Sequence, residues 1–236
     1  EEHHIKLTQD PAKLFTLSIG LLGDLAAAIN REEPDPDSLA ELKTNLLFSA
    51  RFFDSYLQSK LNETLDPYLV LLGSASYYLC DLPGSASVLA KRIDGDCPDL
   101  DGDALEELLL WLLQADLRTY FDETEGPFGG FIDGISKWIL QFFEDGNGEE
   151  NLLDLATKLR DAVYEFGTPR QLLFGDVIAA VLRKKLENSA WKALPSYSGL
   201  PRDKWLHALQ KDSFIKELWP AQHLLGKADV LKGESA

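Results

Sequence analysis

Three helix-start signals, each followed by apolar residues three and four apart, constrain this chain more than any other feature. Thr168-Pro169-Arg170-Gln171 combines a hydroxyl cap, a proline at the first helical position and a glutamine that can reach back to the cap's own N–H. Leu173, Val177, Val181 and Leu182 then line one face. Ser38-Leu39-Ala40-Glu41 has the capping-box pattern and introduces Leu39, Leu42, Leu46, Leu47 and Phe53. Asp103-Ala104-Leu105-Glu106 starts a third face of Leu105, Leu108, Leu109 and Leu112, with Asp as the cap. β-branched alternation is nearly absent, so strands are not expected before the final residues. The pattern predicts an all-α fold, a multi-helix bundle or short helical-hairpin stack of about ten helices joined by short connections.

Breakers set the helix limits. Glu33-Pro34-Asp35-Pro36-Asp37 ends the first helix, and Asp81-Leu82-Pro83-Gly84 separates Pro67–Cys80 from Ser85–Ile93. Gly126-Pro127-Phe128-Gly129-Gly130 and Asp145-Gly146-Asn147-Gly148 follow. Small residues in Gly73-Ser74-Ala75-Ser76 and Gly84-Ser85-Ala86-Ser87 suit a close helix crossing similar to a tetratricopeptide-type hairpin. No second copy at a period of about 34 residues supports a solenoid, and ordinary helix packing accounts for the pair. Leu194-Pro195-Ser196-Tyr197-Ser198-Gly199-Leu200-Pro201 carries two prolines, a glycine and no charge. It fits a linker over 195–201, dividing a helical domain at 1–194 from a helical lead-in at 202–236.

Charge is unevenly distributed. The net charge is −16, but residues 1–150 hold 10 Lys and Arg against 29 Asp and Glu, and residues 151–236 hold 13 against 10. A field as negative as that of the first 150 residues repels phosphate, so nucleic acid is not expected to contact them. The one basic cluster is Arg183-Lys184-Lys185, with Arg170 and Lys192 near it. On a helix these cations are expected to project from the polar face, either solvated near the helix end or touching a nucleic-acid backbone. No apolar run reaches the roughly 18 residues a membrane helix needs, and the amino terminus lacks the pattern of a secretory signal. Two cysteines, Cys80 and Cys97, make no disulfide framework, which points to buried or incidental thiols in a reducing, cytoplasmic compartment.

Most chemical motifs are missing. Asp94, Asp96, Asp99, Asp101 and Asp103 share one loop, but Pro98 blocks one calcium register, and Ala104 and Leu110 occupy the key positions of the other. A solvated loop ending in a helix cap fits better. His207 and His223 lack partners at zinc-ligand spacing, and His3-His4 has none in its neighbourhood. Glu149-Glu150 reads as a helix-start charge pair, and no catalytic residue is assigned. A small enzyme whose site forms only in three dimensions would need convergent carboxylates or histidines that the sequence does not advertise.

The last residues carry the most specific pattern, Leu218-Trp219-Pro220-Ala221-Gln222-His223-Leu224-Leu225 leading to Gly233-Glu234-Ser235. It resembles the segment before the phosphate-binding loop of bacterial DEAD/DEAH-box superfamily 2 helicases of the phage-defence type. The match covers roughly the last twenty residues. The resemblance implies an amino-terminal accessory domain cut off before the Walker A loop, and itself non-catalytic. Gln222 would select adenine, since a carboxamide offers one donor and one acceptor to the N6/N7 edge, and Trp219 would pack nearby. ATP and Mg²⁺ would belong to the parent protein alone. Partners would be the helicase core of the same parent, an effector protein and, through the motor, nucleic acid; no membrane is implied.

The rival reading is a freestanding α-helical interaction module. It predicts residues 202–236 folded back as an integral helix with Trp219 buried, whereas the helicase reading predicts a loosely docked tail.

Overall fold

A computed structural model describes residues 11–59, 66–96, 100, 103–114, 117, 126–211 and 214–232. Its elements are α1 (Pro11–Ile29), α2 (Pro36–Ser59), α3 (Pro67–Leu79), α4 (Pro83–Asp96), α5 (Ala104–Leu113) and α6 (Gly129–Asp145). They continue with α7 (Glu149–Phe166), α8 (Pro169–Glu187), α9 (Ala190–Ser198), α10 (Arg202–Leu209), α11 (Pro220–Lys227) and a 3₁₀ turn at Val230–Lys232. No strand occurs among the described residues, only one antiparallel bridge between Ser189 and Glu217. The fold is all-α.

Two helices are enclosed on nearly all sides. In α3, every residue from Val70 to Leu79 is buried, and in α8 the run from Phe174 to Leu182 is buried without a break. Helices apolar all round belong at the centre of a bundle, and α1, α2, α4, α5, α7 and α9 pack on one or both of these two. Sequential neighbours pair as hairpins (α1 with α2, α3 with α4, α6 with α7, α7 with α8), while α8 returns to pack on α1, α3 and α5. The closest approach is α3 against α4, where Ser74 Oγ donates to the Ala86 carbonyl at 2.7 Å. Small side chains let the two backbones come that near, and the hydroxyl satisfies itself across the crossing.

Two expected caps form as read. Thr168 Oγ1 accepts from Gln171 N–H at 3.3 Å, and Gln171 Oε1 accepts from Thr168 N–H at 2.9 Å. Asp103 accepts from Leu105 N–H at 2.9 Å and also receives the Gln171 side-chain amide at 2.9 Å, so one carboxylate joins the starts of α5 and α8. The cap expected at Ser38 is a correction. Helix α2 begins at Pro36, and Asp35 accepts from the N–H groups of Asp37 and Ser38. The stretch expected only to break α1 also starts α2, because a proline in the first turn gives up no hydrogen bond.

Part of the segment expected as a linker is helical. Residues 195–198 are the last turn of α9, which contains Pro195 and ends at Gly199 in the left-handed conformation, φ 67°. Leu194 is buried, and Tyr197 packs on the core. Five of the aspartates and cysteines singled out in the sequence, Asp96 and Asp94 by their side chains and Cys97, Asp99 and Asp101 entirely, lie outside the described residues, as do His3, His4 and the Phe53 side chain. Cys80 is a buried free thiol, pushed up to about 11 by burial and then by Asp81.

Candidate functional site

The carboxy-terminal end of α8 determines where the terminal segment sits. Lys184 and Lys185 are consecutive, so on a helix their side chains diverge by about 100°. Neither projects from a solvated face, and this corrects the expected basic surface: both are buried and both are paired. Lys184 binds Asp81 in the α3–α4 turn, and Lys43 of α2 binds the other oxygen of the same carboxylate at 2.7 Å. Asp81 has φ 63°, a left-handed conformation that Asp tolerates better than most residues. Burial alone would raise its pKa, but Lys184 and then Lys43 outweigh it and hold the carboxyl below its ordinary value.

Lys185 goes the other way. Its ammonium lies 3.0 Å from Glu217 and 5.1 Å from the centre of the Tyr78 ring, and Tyr78 donates its hydroxyl to the same glutamate. Burial first, and Glu217 second, push the Tyr78 phenol well above its ordinary value. Backbone bonds reinforce this anchor. Ala190 N–H donates to the Lys216 carbonyl at 2.9 Å, and Leu218 N–H donates to the Asn188 carbonyl at 2.8 Å.

The remaining cations near this cluster are also engaged. Arg170 forms a two-toothed pair with the fully buried Glu106 and stacks 4.3 Å from the centre of the Tyr68 ring. Lys192 pairs with Glu149 at the start of α7. Four of the five cations that gave the sequence its basic cluster thus pair with carboxylates of the bundle, leaving Arg183, half-buried, outside these pairs. Lys184 and Lys185 are the two drawn inside, whereas Arg170 and Lys192 reach their carboxylates from partly exposed positions.

Beyond the anchor, Trp219 turns its ring over the first turn of α4, where a Cβ placed on Gly84 would lie 3.5 Å from it. The ring stays 46% exposed. Trp219 is the N-cap of α11, and Pro220 is its first residue. Gln222 Oε1 accepts from the Trp219 N–H at 2.7 Å, so the glutamine caps the helix with its oxygen while its amide N–H₂ has no partner among the described residues. On its inner side α11 lies on α9. Tyr197 Oη and His223 Nδ1 are 2.8 Å apart, and Gly226 packs so closely on the tyrosine that a Cβ there would come within 2.2 Å of its ring. Burial, and then Lys227, lower the His223 pKa.

Trp219, Gln222 and Lys185, three of the residues singled out in the sequence, line one cleft of about 1030 Å³. Its other wall is apolar, with Leu113 of α5, Leu140 and Phe143 of α6, and Phe214. No protein-family model, curated protein or solved structure matches this chain. The site is therefore read on its own geometry. It offers an aromatic face, one free carboxamide donor pair and a self-neutralised ion pair at the base. Among the described residues no three His, Cys, Asp or Glu side chains converge on a metal position, and no helix is long and apolar enough to cross a membrane. The residues that sequence reasoning missed are Tyr78, Asp81 and Glu217. Each is an ordinary surface-type residue until the fold closes over it, and no local pattern marks it.

Proposed function

We propose that this chain is a helical accessory and interaction domain of an ATP-dependent DEAD/DEAH-box helicase, non-catalytic in itself. The observation that carries the reading is the placement of Trp219 and Gln222 on the wall of an open cleft, with the ring half-exposed and the amide donor free. An adenine whose other contacts come from a motor domain would stack on or beside Trp219, and would use the Gln222 amide as donor to N7. ATP and Mg²⁺ would be held by that motor, which would also engage nucleic acid. The strongly acidic helical body suits docking to a basic protein face, a motor or an effector.

Gln222→Glu tests this specifically. A glutamate keeps the oxygen that caps α11 but has no amide donor. In a protein that also carries the motor domain, the variant should keep its thermal stability and bind adenine nucleotides about tenfold more weakly, ~1.4 kcal/mol. Equal affinity for adenine nucleotides in both proteins, or a parent protein without a glycine-lysine phosphate cradle, defeats the reading.

A second reading, a freestanding interaction module, is favoured by the Glu217 anchor. A terminal segment tied down by a buried lysine, a tyrosine hydroxyl and two backbone bonds behaves as part of the bundle. Trp219, however, is not buried as that reading expects.

A further inference from the structure

The bridge at Ser189 and Glu217 has an unused side. Its two hydrogen bonds run between the flanking residues, Ala190 with Lys216 and Leu218 with Asn188. In that antiparallel pattern the N–H and C=O of the bridged residue itself point away from the partner strand. For Glu217 both groups are without a hydrogen bond among the described residues, and the same holds for the backbone of Ile215. Both residues line the cleft. A free backbone edge beside an apolar slot is how a protein adds a strand from another chain: main-chain bonds give affinity, and alternate side chains entering the slot give selectivity.

Charge sets the kind of strand. Lys185 is already neutralised by Glu217, and the Lys216 ammonium donates to the Leu209 and Lys211 carbonyls at the end of α10. Along α6 the cleft runs into a depression of about 410 Å³, with Leu140, Glu144 and Gln210 common to both. There Glu144 is exposed and forms no ion pair among the described residues. Asp145 stands beside it, and Lys137 is the single cation on that lining. Two carboxylates against one ammonium, on a chain of net charge −16, favour a cationic side chain at this end.

We propose that the cleft between α5, α6 and the 214–219 segment binds a short extended peptide of a partner protein. The peptide would pair its backbone with Glu217, seat an apolar side chain between Leu113, Leu140 and Phe143, and place a Lys or Arg at Glu144 and Asp145. The peptide would share the cleft with Trp219 and Gln222 but uses Glu217 and the α5–α6 wall, so the inference rests on contacts other than those of the helicase reading.

Selection of random hexapeptides displayed on phage against the purified chain, followed by titration of synthetic N-acetylated versions, tests it. Enriched sequences should share an apolar residue and a nearby Lys or Arg, and binding should protect the Ile215 and Glu217 amides from hydrogen exchange. Methylating alternate peptide nitrogens should weaken binding roughly tenfold in one register and little in the other, because only one register faces the edge. Glu144→Lys, at an exposed position, should weaken it several-fold and reduce its salt dependence. Absence of any enriched sequence overturns the proposal. So does enrichment at helical spacing, or binding that ignores both nitrogen methylation and the charge at residue 144.

Discussion

Lys184 and Lys185 differ by one step along a helix, yet they hold together different parts of the molecule. Lys184 clamps the α3–α4 turn with Lys43, and Lys185 holds the terminal segment through Glu217. Removing a partner from a buried pair leaves an uncompensated charge, which costs far more than the pair itself contributes. Glu217→Gln should therefore destabilise the protein by about 3–5 kcal/mol in urea unfolding, whereas Tyr78→Phe, which removes one hydroxyl donor, should cost about 1–3 kcal/mol. Equal and small effects would mean that water already reaches Lys185. The Asp81 pair has a pH signature. Its carboxyl is held below its ordinary value, so the stability it contributes is present above the unfolded value and is lost as pH falls through the folded one. Wild-type stability should decline below about pH 4, and Asp81→Asn should flatten that part of the profile. The size of the effect is limited because the Asp81 side chain is 42% exposed and solvent screens the pair.

At the scale of elements, α11 depends on one close approach and one titratable contact. Gly226 permits the Tyr197 ring to lie against the helix, and Gly226→Ala would force it off. Hydrogen exchange over 220–227 should accelerate strongly in that variant while α3 and α8 remain protected, and unchanged exchange would refute the contact. His223 faces Tyr197 on α9, Lys227 on its own helix, and the Asp81 and Glu217 carboxylates of the packed segments. Its folded pKa is depressed, so docking is favoured above the unfolded value of about 6.5 and weakens as pH falls below it. Protection factors of the α11 amides, corrected for the intrinsic pH dependence of exchange, should therefore fall between pH 7 and pH 5, and His223→Gln should abolish that fall. Elsewhere the elements were readable in advance. Thr168, Pro169 and Gln171 form the expected cap, and Thr168→Ala should cost about 1 kcal/mol. Leu105, Leu108, Leu109 and Leu112 all face the core as their spacing required. The start of α2 was misread by three residues because Asp35 and Ser38 both suit a cap, and only the path of the chain out of α1 chooses between them.

For the whole molecule, charge and packing together explain why a basic cluster failed as a surface. The acidic body buries Glu106 and most of Glu217 and holds Asp81 half-exposed beside a buried lysine, and the nearest cations fold in to meet them. The chain alone should show no ATP hydrolysis above buffer, since its sequence carries no Gly-x-x-x-x-Gly-Lys-Ser/Thr phosphate-binding loop. Turnover that disappears in Gln222→Ala would contradict this.

The helical class, most helix limits and the core faces of α5 and α8 were determined by the sequence itself, because caps and apolar spacing act over four or five residues. The pairing of Lys185 with Glu217, the exposure of Trp219 and the cleft between the 214–219 segment and α5 and α6 were decided only by the tertiary structure. They join residues more than thirty positions apart, and an ion pair across that distance exists only once α8 has set the direction in which each ammonium points.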